Sequence, residues 1–245
     1  MTSDPAGSIR FYRRLFGWEA DTGATSGRRD PRLMVDGRQF CGVVGANELT
    51  AAPNLWLPYV AVDDLDASVE RVLALRGRSP LRNAQVTGSG RFAVITDPIG
   101  STLALCEPGE DRTWHFHDDR PGGFCWHELL AEKPGDIATF YQELLGWSLT
   151  VSYGDNRAPY WYFTVDGQPV AGIRTSVAET PHQPLWLCHA EASNLERTVD
   201  IAVSGGGATD HCALGGRPIG RGALITDPQR GVLCAMVPAA SGILR

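Results

Sequence analysis

Apolar positions along this chain switch between two spacings, three to four residues and two. Ile9, Tyr12, Leu15 and Phe16 recur on one helical face, which predicts a helix over Ser8 to Phe16. Ser3 or Asp4 stands where an N-cap belongs, Pro5 suits the first turn, and Gly17 suits a left-handed residue at the C-terminal end. After a loop rich in Gly, Thr, Ser and Arg at 21–31, period two takes over. Strands are expected near 32–36 and 39–45, joined by Asp36-Gly37, a dipeptide that favours a tight hairpin. Leu55 to Val62 predicts a long strand. Asp63 or Asp64 then opens a second helix, carried by Leu65, Val69, Val72 and Leu73 and ended at Gly77. Strands near 81–87, 91–96 and 102–106 complete this half.

The order then returns. Phe11 to Trp18 (FYRRLFGW) reappears as Phe140 to Trp147 (FYQELLGW), 140 − 11 = 129 residues later. Val35-Asp36-Gly37 matches Val165-Asp166-Gly167, Leu55-Trp56-Leu57 matches Leu185-Trp186-Leu187, and Ile95-Thr96-Asp97-Pro98 matches Ile225-Thr226-Asp227-Pro228. A fixed self-similarity of this length implies a duplicated domain, with units at 1–118 and 119–245. In the second unit Phe124 to Ala131 predicts a strand ahead of a Pro134–Leu145 helix. By the repeat offset Met1 falls opposite Leu130, so the first unit is expected to lack this opening strand and to leave a sheet edge unpaired.

Composition narrows the class. The 245 residues are 43% hydrophobic and 20% charged, with a net charge of −6. The absence of a basic tract argues against nucleic acid as a partner. No apolar run reaches 18 residues, and the N-terminal residues lack the apolar stretch of a signal peptide. Six cysteines are scattered with no C-x-x-C pair, which suggests reduced, mostly buried thiols in a cytoplasmic protein.

Strand alternation places Trp126, Glu128 and Leu130 on one face, and Leu187, His189 and Glu191 on another. A carboxylate beside an imidazole can act as a general-base pair. It can equally be a hydrogen-bonded pair that satisfies two buried groups and does nothing more. The first unit carries Tyr59 where the second has His189, with Leu57 and Ala61 in place of Leu187 and Glu191, so the second is the more polar candidate. Trp56, Trp126, Trp186, Tyr59, Tyr160 and Tyr162 fall on or beside predicted strands and suit either a flat apolar ligand or a core. Trp56 and Trp186 recur at equivalent positions, which favours core. Asp97-Pro98 and Asp227-Pro228 read as turns. Arg91 and Arg221 precede the same hairpins, where they meet an anionic ligand or pair with nearby acids. His115 and His117, two apart with Asp118 and Asp119 beside them, read as a solvated linker or, less simply, as a metal pair.

The FYRRLFGW and FYQELLGW helices, the Val-Asp-Gly hairpins, YVAVDDLDAS before the second helix, and ITDPIGSTLAL with ITDPQRGVLCA at the last hairpins resemble the vicinal oxygen chelate superfamily. This is the glyoxalase, bleomycin-resistance and extradiol-dioxygenase fold, and the resemblance covers the whole chain. It is similar to two-domain bacterial members labelled glyoxalase-like or hydroxylase. It implies an α+β fold of tandem glyoxalase-like domains, with four βαβββ modules curled into two incomplete β-barrels and the first strand of domain one missing. Metal-dependent members carry His, His or Gln, and Glu at three barrel positions. Those positions fall here at Trp126, Leu187 and Cys234 in domain two, and at Leu57 and Ala104 in domain one, so no metal site is expected. If the family's register holds, Glu128 and His189 are the catalytic candidates inside domain two. Trp126, Leu187, Glu191, Cys234 and Tyr162 would then line the ligand there, with Tyr59 and Trp56 as counterparts in domain one. The expected function is metal-independent: binding an aromatic or polycyclic metabolite, or moving a proton on it in an isomerisation, cyclisation or ring opening. The alternatives are a metal-dependent lyase or dioxygenase, a non-catalytic drug-binding resistance protein, and a module whose partner is another protein. A monomer or a homodimer fits either form.

Overall fold

The computed structural model describes residues 1–22, 31–45, 54–86, 90–109, 122–153, 159–175, 184–210 and 219–240. The first repeat opens with helix α1 (Pro5–Phe16), followed by β1 (Glu19–Asp21), β2 (Arg32–Val35) and β3 (Arg38–Gly42). Asp4 caps α1, its carboxylate accepting the Gly7 amide, and Gly17 ends it at φ 73°. The Asp36-Gly37 turn takes positive φ at both residues, as a tight hairpin between twisted strands requires. Next come β4 (Tyr59–Ala61), α2 (Leu65–Ala74), β5 (Arg78–Val86), β6 (Gly90–Thr96) and β7 (Thr102–Pro108). The second repeat gives β8 (Phe124–Ala131), α3 (Pro134–Leu145), β9 (Ser148–Tyr153), β10 (Pro159–Val165) and β11 (Gln168–Thr175). It closes with β12 (Leu185–Glu191), α4 (Leu195–Ser204), β13 (Ala208–Asp210), β14 (Gly220–Thr226) and β15 (Val232–Pro238).

The second repeat forms one open eight-stranded sheet, in the order β13-β14-β15-β12-β8-β11-β10-β9. Strand β8 is its keystone, parallel to β11 on one side and antiparallel to β12 on the other. In the first repeat the strands split into β1-β2-β3 and β4-β7-β6-β5. Among the described residues no strand precedes α1 there. The gap is bridged by Thr2, which pairs singly with Gly45, and by the Met1 amino group, which donates to the Leu55 carbonyl at 3.0 Å.

One expectation is corrected here. The long strand predicted over Leu55 to Val62 is regular only at Tyr59–Ala61. Its counterpart β12 is regular from Leu185, because Leu185, Trp186 and Leu187 pair with Leu130, Leu129 and Glu128 of β8. Among the described residues, 55–57 meet no strand like β8; Leu55 exchanges hydrogen bonds with Met1 alone. The sheets remain open, as expected of incomplete barrels.

Helices pack across the repeats. Val69 and Val72 of α2 share a core with Ile137, Phe140 and Tyr141 of α3. Ile9, Phe11 and Leu15 of α1 share another with Leu195 and Ala202 of α4. Gly207, just past α4, lets α1 approach closely: a Cβ there would stand 2.9 Å from Phe11 Cζ. Two matching hydrogen-bond relays tie the repeats together. Trp56 Nε1 donates to the Tyr12 hydroxyl at 2.9 Å, which donates to Asp227 at 2.8 Å. Trp186 Nε1 donates to Tyr141 at 2.8 Å, which donates to Asp97 at 2.7 Å. Each Asp also holds its own turn, accepting amides of residues 99 and 101, or 229 and 231. The Asp-Pro turns are thus structural, as their sequence suggests.

Candidate functional site

The inner face of the eight-stranded sheet is apolar except at its centre. Trp126, Leu130, Tyr160, Leu187, Ile219, Leu224, Cys234 and Met236 form one buried cluster. Strand pairing brings the polar groups into its middle. Glu128 on β8 stands opposite Gly172 of β11 and Leu187 of β12. His189 on β12 stands opposite Trp126 of β8 and Cys234 of β15. Both Glu128 and His189 are 0% exposed.

The Glu128 carboxylate is held from three directions. The Tyr160 hydroxyl donates to Oε1 at 2.7 Å, and itself accepts Trp126 Nε1–H at 2.9 Å. His189 Nε2 lies 3.1 Å from Oε2, and Arg174 Nε lies 3.9 Å from the same oxygen. Arg174 is itself 2% exposed. Burial alone raises a carboxyl pKa, but the His189 contact, the Arg174 charge and the Tyr160 bond outweigh it and bring Glu128 down to about 2. The carboxylate is therefore ionised inside an apolar cluster. Gly172 makes the arrangement possible: a Cβ there would collide with the Tyr160 hydroxyl and stand 3.1 Å from Glu128 Cγ.

The His189 contact has ion-pair distance without hydrogen-bond alignment. Neither His189 ring nitrogen, nor Glu128 Oε2, has a hydrogen-bond partner among the described residues. Buried polar groups are normally satisfied.

The structure divides the residues singled out in the sequence. Trp126, Leu187 and Cys234 share one buried cluster and stand opposite His189 or Glu128 in the strand register. Tyr162 is half-buried at the margin, its ring stacked on Tyr160 at 6.4 Å. Glu191 is half-buried further along β12, opposite Met236, where its charge helps to raise the Cys125 thiol. Tyr59 lies elsewhere, in the small cluster of Phe92, Ala104 and Cys106 on the β4-β7-β6-β5 sheet. Trp56 is half-buried: its ring meets Tyr12, Trp18 and Phe124, and its N–H donates to Tyr12. Arg91 pairs with Glu107 at 2.7 Å and Asp66 at 2.9 Å, and Arg221 with Glu196 at 3.5 Å. His115 and His117 lie outside the described residues.

Sequence reasoning missed the roles of Arg174 and Tyr160. The signals were a lone cation in the apolar strand VAGIRT, and Tyr160 two residues before Tyr162 on one strand face.

The donor set does not fit a divalent ion. Trp126 and Leu187 offer no ligand atom, and the Arg174 guanidinium places a positive charge beside the one carboxylate. Among the described residues no group of three or more His, Cys, Asp or Glu could hold a metal.

Comparison with known proteins is consistent with this geometry. Residues 1–106 match the model of a glyoxalase-like domain. A putative glyoxylase, CFP32, of Mycobacterium tuberculosis is 26% identical over 249 residues, covering 98% of this chain and 92% of its own. The anthracycline biosynthesis protein DnrV of Streptomyces peucetius is 29% identical over 241 residues, covering 92% and 86%. Among solved structures, the 2,3-dioxygenase LapB from Pseudomonas sp. KL28 superposes with a TM-score of 0.58 at 14% identity, covering 98% of this chain and 91% of that one.

Proposed function

From the premise that this chain has the vicinal oxygen chelate fold, with a glyoxalase-like domain over residues 1–106, we propose that its second repeat takes up an aromatic or polycyclic metabolite and exchanges a proton with it, without a metal. One observation carries the proposal: a buried His–Glu pair whose facing atoms lack hydrogen-bond partners, set in an aromatic and aliphatic interior. The other ring nitrogen, His189 Nδ1, also lacks a partner among the described residues and is the natural place for a ligand's polar group. In this reading Glu128, already ionised, orients His189 and stabilises its imidazolium when a proton arrives. Tyr160 and Arg174 hold Glu128 in place. Trp126 and Leu187 offer flat and aliphatic surface to the ligand, with the half-buried Tyr162, Leu185 and Val232 at the margin of the same cluster. The relative in anthracycline biosynthesis makes a polycyclic aromatic the ligand class of choice. No helix among the described residues is long and apolar enough to cross a membrane.

The test begins with native and denatured masses of the purified protein. An excess of a few hundred daltons, lost on denaturation, identifies the ligand. Turnover of that compound is then compared in wild type, Glu128→Asp and His189→Gln. Both substitutions avoid stranding the buried Arg174 charge, so folding should survive. Loss of turnover with retained binding supports proton transfer. Retained turnover in both variants overturns it, and binding with no turnover even in wild type leaves sequestration as the activity. A native excess equal to one divalent metal ion would overturn the metal-free reading.

A further inference from the structure

Resting on the proposed function, we infer that Nδ1 of His189 is the atom that accepts the proton, and that the ligand meets it with an acidic O–H, a phenol or an enol. A neutral imidazole carries one N–H and one lone pair. An ionised carboxylate only accepts. With Glu128 Oε2 3.1 Å from Nε2, the proton belongs on Nε2, which leaves the Nδ1 lone pair as a buried acceptor. Nδ1 has no hydrogen-bond partner among the described residues. A carboxylate or a quinone carbonyl brings only acceptors to that point and leaves it unsatisfied. A hydroxyl brings the missing donor.

The chemistry balances without a further reactant. The ligand O–H bond breaks, its electron pair stays on oxygen, and an N–H bond forms at Nδ1. The imidazolium is then flanked by the ionised Glu128, and the ligand anion lies in an interior that also holds the Arg174 cation. Net charge in the site is unchanged. Returning the proton to a carbon of the ligand anion completes an isomerisation; returning it to oxygen makes the site a binder of ionised phenols.

Two measurements separate this inference from the function it rests on. The first is the tautomer of His189 in the ligand-free protein, read from long-range nitrogen–proton correlations of histidine-labelled protein above the imidazole pKa. Its signal is picked out from the six histidines by its loss in His189→Gln, or by its shift in Glu128→Asp if that variant does not fold. The Nε2–H form is expected; the Nδ1–H form overturns the inference whatever the ligand. The second is the affinity of 2-hydroxyanthraquinone against its methyl ether, 2-methoxyanthraquinone, by quenching of tryptophan fluorescence. The hydroxy compound should bind about tenfold tighter or more, the worth of one hydrogen bond to a buried acceptor. Equal affinity overturns the ligand class. If neither compound binds, the tautomer still decides the assignment of Nδ1, and the failure counts against the proposed function instead.

Discussion

Glu128 stays ionised inside the apolar cluster because several neighbours hold it, and each of them can be removed. Gly172→Ala drives a methyl group into the Tyr160 hydroxyl, so it should cost about 1–3 kcal/mol of stability, the usual penalty of overpacking. Adding Tyr160→Phe should return part of that loss, and a double-mutant cycle by urea denaturation reads the coupling. The pH dependence follows from Glu128. Its folded pKa, about 2, is below the ordinary value of 4.5, so its contribution is present above pH 4.5 and lost as pH falls toward 2. Asp97 is shifted upward by its burial and works in the opposite sense, gaining stability on acidification. Chemical denaturation across that window should therefore show a smaller acid loss in Tyr160→Phe, which removes one of the bonds that lower the Glu128 pKa, than in wild type. Period-two alternation was enough to place Trp126, Glu128, Leu187 and His189 on inner faces. It did not reveal that Arg174 joins them, because the parallel β8–β11 pairing that sets Arg174 beside Leu130 spans more than forty residues of chain and leaves no local trace. Trp56 stood open between ligand and core for a similar reason: an aromatic that recurs at a fixed offset looks the same whether it lines a cavity or seals a joint.

Local patterning fixed most elements to within a few residues, and both α3 and β8 appear over the residues expected. The strand that fails is instructive. Residues 55–57 have the same Leu-Trp-Leu composition as 185–187, yet only the latter are regular, because regularity there comes from β8 and not from propensity. Amide hydrogen exchange should follow: Trp56 and Leu57 should exchange markedly faster than Trp186 and Leu187. At the other end of the first repeat, Asp4→Ala should lower stability by about 1 kcal/mol through loss of the α1 cap, seen as a fall in Tm of a few degrees.

At the scale of the whole molecule, the repeats are joined by reciprocal Trp–Tyr–Asp relays and by the pairing of α1 with α4 and of α2 with α3. Tyr12→Phe and Tyr141→Phe each leave a buried Trp N–H and a buried Asp oxygen short of a partner, so each should cost about 1–3 kcal/mol. Calorimetry should show a single transition that moves down as a unit in either variant. Two separate transitions would mean that the repeats unfold independently. The α1–α4 pairing also has a consequence for how the chain is made. Helix α1 is synthesised well before Leu195, Ala202 and Asp227, which complete the cover of its apolar face and bind Tyr12. Until they emerge, Ile9, Phe11 and Leu15 have only the partners of their own repeat, among them Leu33, Val35 and Val43, and the apolar surface left open makes the nascent helix a client for chaperones.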